Sequence, residues 1–171
     1  MAEQYHKGDY VSYSCSGVCL IDDIRQDAPA GKGDPKTFYI LKPVADPSST
    51  IFVPTGSPIL LAKMQRLPSK EEADALILST QEEEMPWIED RKIRAASFQT
   101  ILKACALKDL LRLVACIYRK RSELTVMGKK LAASDENTLR RAEGLIENEL
   151  SFVLGLKGDQ VGAYIREKLG M

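Results

Sequence analysis

The hydrophobic pattern changes period once along the chain. Up to residue 66, β-branched and aromatic residues come in short runs separated by Gly, Pro, Asp and Ser, the signature of strands and turns. YVSYS (Tyr10–Ser14) and VCLIDDI (Val18–Ile24) flank Cys15-Ser16-Gly17, a short hairpin signal. APAGKGDP (Ala28–Pro35) reads as a flexible loop, TFYIL (Thr37–Leu41) as a strand and ADPSS (Ala45–Ser49) as a turn. TIFV (Thr50–Val53), stopped by Pro54, and SPILLA (Ser57–Ala62) complete the strand set. Strands this short bury a core only if the sheet curls, so a small, strongly bent β-barrel is expected.

From residue 68 the apolar spacing becomes helical. Ser69 with Glu72 forms a capping-box pattern that opens a helix over about 69–80. Pro86 suits a first helical turn, so a second helix is expected from there to about Cys105. LKDLLRLVACIYRKRSEL follows, with Leu107, Leu110, Leu111, Val114, Ile117, Tyr118 and Leu124 on one stripe, until TVMGKK breaks it. Ser134 is the expected N-cap of a fourth helix. That helix is lined by Leu139, Ala142, Ile146, Leu150 and Val153 and capped by Gly155. A short fifth helix covers about 158–169. The fold class is therefore α+β in two domains, 1–66 and 67–171, the second a compact bundle of about five α-helices.

Composition adds few constraints. The chain has 171 residues, 44% hydrophobic and 28% charged, with no net charge, as expected of a globular protein. No apolar run approaches membrane-spanning length, and MAEQYHKGDY lacks a secretory h-region, so no membrane association and a cytoplasmic location are expected. Cys15 and Cys19, at C-x3-C spacing in a strand pattern, are expected on one face. All four cysteines read as free thiols. With His6 the only histidine, no metal site or cofactor is expected.

Charge distribution is more informative than the total. Residues 68–90 hold one lysine against eight acids, net −7, and residues 91–130 hold eleven bases against two acids, net +9. Lys108, Arg112 and Arg119 share a helical face, and Arg119-Lys120-Arg121 and Lys129-Lys130 flank one loop. Such a block is either a solvated surface or a site for a polyanion. Trp87, the only tryptophan, stands at the charge boundary in EEEMPWIEDRKIRA. Its residue type fits a core position or an aromatic that stacks on or wedges between bases.

The order of motifs resembles the CarD/CdnL family of bacterial transcription regulators. KGDYVSYSCSGVCLIDDI supplies Lys7, Gly8, Asp9, Val11, Tyr13, Gly17 and Val18 of that family's opening pattern. FYILKP and TIFVPT resemble its later strands, MPWIEDRKIRA its Trp segment, and LRLVACIYRKR and NTLRRAEGLIENELSFVLG its later helices. The similarity runs from about Tyr5 to Leu156. It implies a Tudor-like N-terminal domain that binds the RNA polymerase β subunit. It also implies a helical domain that touches promoter DNA at the upstream edge of the melted bubble. Trp87 would be a minor-groove wedge there, with Arg91, Lys92, Arg94, Arg119 and Lys120 as DNA-binding bases. No reaction, small-molecule substrate or cofactor is implied. Glu89 and Asp90 stand where relatives carry arginines, and Glu136 replaces a basic residue. Phe52 occupies the place of an interface arginine, leaving Ile51, Phe52 and Arg25 as the polymerase-binding candidates. Two other classes remain open from the residues: a protein-interaction adaptor that never meets DNA, and a thiol-based enzyme or redox sensor resting on Cys15 and Cys19.

Overall fold

The computed structural model describes residues 5–27 and 36–171. The loop expected at 28–35 lies outside the described residues. The chain divides into two compact units, Met1–Leu67 and Pro68–Met171.

The first unit is an antiparallel five-stranded sheet: β1 (Tyr10–Tyr13), β2 (Val18–Asp27), β3 (Lys36–Pro43), β4 (Ile51–Pro54) and β5 (Met64–Arg66), in the order β4-β3-β2-β1-β5. The β1–β2 connection is a 3-10 turn, Ser14–Ser16, closed by Gly17 at φ 75°, a left-handed conformation that glycine adopts without strain. A register shift between Ile21 and Asp23 bends β2. One face buries Val11, Cys19, Ile21, Tyr39, Leu41, Val53 and Met64.

Two expectations fail here. Ser57–Ala62 is not a strand: Pro58–Leu61 forms a one-turn helix, α1, and the closing strand is β5. Pro58 has no N–H for a sheet ladder but fits a first helical turn, and the Ser57 hydroxyl accepts from Leu60 N at 3.4 Å. Cys15 and Cys19 do not share a face either. Cys15 is exposed in the 3-10 turn, which breaks the strand alternation, and Cys19 is buried on β2.

The second unit is all helical. It comprises α2 (Lys70–Ser79), α3 (Arg91–Ala104), α4 (Leu107–Val126), α5 (Ala133–Leu154) and α6 (Gly158–Lys168). They enclose a core that includes Ile77, Phe98, Leu102, Leu110, Leu113, Ile117, Leu139, Ile146, Leu150 and Val161. Ser69 caps α2 as expected, accepting from Glu72 N at 3.1 Å. Gly155 ends α5 at φ 66°.

The second helix does not start at Pro86. It starts at Arg91, because one carboxylate oxygen of Asp90 accepts from both Lys92 N and Ile93 N at 3.0 Å and so satisfies two otherwise unpaired donors. Nor is Ser134 a cap. α5 begins at Ala133 after Ala132, and Asp135 in its first turn is buried. The reason lies in α3, as the site geometry makes clear.

Candidate nucleic-acid interface and docking edge

Trp87 lies in the non-helical stretch before α3. It is half-buried, its ring edge-on to Phe98 with centroids 6.1 Å apart. Two cations sit against the same ring: Arg94 Cζ at 4.5 Å from the centroid and Lys120 Nζ at 5.6 Å. The indole is therefore neither a core residue nor a free one. One edge packs on the helical core while its surroundings are cationic.

Arg94 is the internal tie of this arrangement. Its Nε and Nη2 donate to the two carboxylate oxygens of Asp135 at 3.1 and 3.0 Å. Its Nη1 donates to the carbonyl oxygens of Ile88 and Glu89 at 3.0 and 3.2 Å. Arg94 is 7% exposed and Asp135 5%. A bidentate, buried pair fixes both the Trp87 segment and the start of α5. Arg94 thus corrects the expectation of a surface base, since its guanidinium is spent inside the unit. Sequence reasoning missed Asp135; its only signal was an acid in the first turn of a helix.

The remaining basic candidates divide by exposure. Arg91 and Lys92 are exposed on the first turn of α3. Lys120 lies 4.0 Å from Glu89 and 3.7 Å from Glu123, and Arg119 is 3.0 Å from Glu84. Glu89 is thus turned toward Lys120 and Asp90 toward the helix backbone, and Glu136 lies 3.9 Å from Arg121. The +9 block is not the open basic face that composition suggests. Lys108 and Arg112, with Arg119, meet the acidic turn before Trp87. The second unit also holds a largely apolar cavity of about 590 Å³ that Arg119 lines and Trp87 does not.

In the first unit, β4 is an edge strand. Strand alternation sends its neighbouring residues to opposite faces. Ile51 packs on the buried core, whereas Phe52 is 56% exposed. Phe52 is in register with Ile40, which is paired with Asp23, and two residues along that face Pro54, Phe38 and Arg25 form the next row. Arg25 and Phe52 therefore share the outer face, with Arg25 Nε held 3.0 Å from Asp23.

Residues 5–67 match the family model of the CarD-like/TRCF RID domain. The first unit is thus similar to an RID domain. That family is an RNA polymerase β-interacting domain, in agreement with the CarD/CdnL resemblance of the chain. No curated protein matches the chain at a significant level. The RID match ends before the helical unit, so Trp87 and its cations lie outside it.

Burial pushes the Cys19 thiol up to about 11 and raises that of Cys116, which keeps both protonated and poorly nucleophilic near neutral pH. No described group of His, Cys, Asp and Glu could hold a metal ion, and no described helix is long and apolar enough to cross a membrane.

Proposed function

We propose that this protein is a non-catalytic transcription regulator: its RID domain holds it on the RNA polymerase β subunit, and its helical unit stabilises the promoter open complex. One observation carries the reading. A domain similar to an RNA polymerase β-interacting domain is joined to a unit whose lone, half-buried Trp87 has two cations against its ring.

The RID domain would dock through edge strand β4, whose backbone can extend a partner sheet while Phe52 and Arg25 supply side-chain contacts on its outer face. Tethering raises the local concentration of the helical unit at the promoter, so modest DNA contacts suffice. Trp87 would wedge at the upstream edge of the bubble, with Arg91, Lys92 and Lys120 toward the phosphates. A wedge that prefers melted DNA shifts the open–closed equilibrium by that preference, and about 1.4 kcal/mol is tenfold. The location that goes with this role is the bacterial cytoplasm, on the polymerase.

The test pairs capture of the polymerase β subunit with open-complex lifetime. Wild type should be captured and should lengthen the lifetime. Trp87→Ala should keep its circular dichroism and its capture yet lose the lifetime effect. Retention of that effect by Trp87→Ala would refute the wedge, and absence of β capture would refute the whole reading. Because Lys108, Arg112 and Arg119 are paired internally, an adaptor that never touches DNA is the second reading. DNA crosslinking on the polymerase separates the two.

A further inference from the structure

The −7 and +9 blocks meet where the turn after α2 reaches α4. The turn after α2 runs along α4. Glu83 Oε2 is 3.1 Å from Lys108 Nζ, and the Glu83 carbonyl oxygen accepts from Arg112 Nε at 3.1 Å. Glu84 Oε2 accepts from Arg119 Nη1 at 3.0 Å. Asp109, on α4 itself, is 3.9 Å from Arg112. Lys108, Arg112 and Arg119 occupy one face of the helix, so a short anionic strap covers a row of three bases.

The strap is weakly held. The side chains of Glu83 and Glu84 are 51% and 61% exposed, and those of Lys108 and Arg119 45% and 41%. Ion pairs this exposed contribute little and are screened by salt. Arg119 is also incompletely matched: its Nη2 is buried without a hydrogen-bond partner, the only such side-chain atom among the described residues. Guanidinium groups are best satisfied by acceptors that engage two nitrogens, as phosphate does.

On the promoter-DNA reading given above, we infer that the Glu83–Glu84 strap competes with nucleic-acid phosphates for Lys108, Arg112 and Arg119. α4 then carries a second polyanion surface that the free protein keeps covered. Two carboxylates compete well against dilute, non-specific DNA. They lose against DNA held nearby by the polymerase, where counterion release favours the longer polyanion. The strap is thus a repulsive element that suppresses binding away from the polymerase.

The experiment measures binding of the full chain to a labelled forked duplex by fluorescence anisotropy across a salt series. Glu83→Gln with Glu84→Gln should tighten binding about three- to tenfold and steepen the salt slope by about two, as newly freed bases meet phosphates. Glu71→Gln with Glu167→Gln changes charge equally at exposed positions off the strap and should tighten binding far less. Lys108→Gln with Arg119→Gln should change little in wild type and abolish the gain in the strap variant. Equal tightening by the control pair, or a gain that survives loss of the bases, would reduce the effect to net charge and overturn the strap. So would a strap variant that binds like wild type while Trp87→Ala still shortens open-complex lifetime, which leaves the promoter reading intact. If no variant binds DNA and wild type leaves open-complex lifetime unchanged, the promoter reading falls and the strap with it.

Discussion

Phe52 and Trp87 are both large aromatic side chains outside the cores, and their settings differ. Phe52 stands on an edge strand, more than half exposed, in register with a buried isoleucine. Trp87 is packed edge-on against Phe98 and flanked by two cations. The difference follows from how each unit is held. A sheet satisfies its backbone through ladder hydrogen bonds, so an edge residue can be left bare without cost to its neighbours. The segment before α3 has no ladder. Two of its carbonyl groups are satisfied by Arg94, so its shape depends on side chains. A partner could meet the β4 edge as it stands, whereas a polyanion at the helical unit would have to compete with charges already paired.

The largest expected effect tests that dependence directly. Arg94→Ala strands the buried Asp135 carboxylate and should destabilise the helical unit by about 3–5 kcal/mol, measured by urea unfolding. An effect under about 1 kcal/mol would mean the Trp87 segment holds itself. Phe52→Ala is expected to do the reverse. Folding stability should stay within about 0.5 kcal/mol, and capture of the β subunit should weaken by about 2 kcal/mol, the scale of an exposed aromatic anchor. Unchanged capture would move docking away from β4.

Alkaline titration reports on a group in each unit. The Cys19 thiol is raised to about 11 by desolvation, so the unit-one stability it contributes is complete below about pH 9 and lost as pH climbs through 11. The loss should reach up to about 2 kcal/mol, and Cys19→Ala should flatten it. Tyr164 in the helical unit is raised to about 12, mainly by its hydrogen bond to the Asp74 carboxylate, so the stability it contributes is lost only as pH climbs toward 12. Thermal melts of Cys19→Ala and wild type that coincide from pH 9 to 11 would contradict this contribution. Smallest is the cap of α3. Asp90→Ala should cost about 1 kcal/mol and fray the first turn, seen as faster amide exchange at Lys92 and Ile93. No change there would make Asp90 a bystander.

Much of the architecture was legible in residue patterns. Period-two runs up to residue 66 and helical stripes after 68 placed the sheet and the bundle, because each element must bury one face and periodicity records which. Ser69 and Gly155 marked helix ends because capping is local chemistry. The errors arose where two local signals competed. Pro86 and Asp90 both suit a helix start, and the carboxylate that reached two N–H groups prevailed. Pro58 sat in an apolar run, and its missing donor favoured a turn over a strand.

The sequence by itself determined the two periodicities, the charge blocks and the lone tryptophan at their boundary. Tertiary structure decided what those charges do. Pairing depends on distances between residues far apart in the chain: Arg94 with Asp135, Lys108 with Glu83, Arg119 with Glu84. A charge count is blind to such distances. Packing turned Arg94 inward as the support of Trp87, left Arg91 and Lys92 at the surface, and laid the acidic turn over α4.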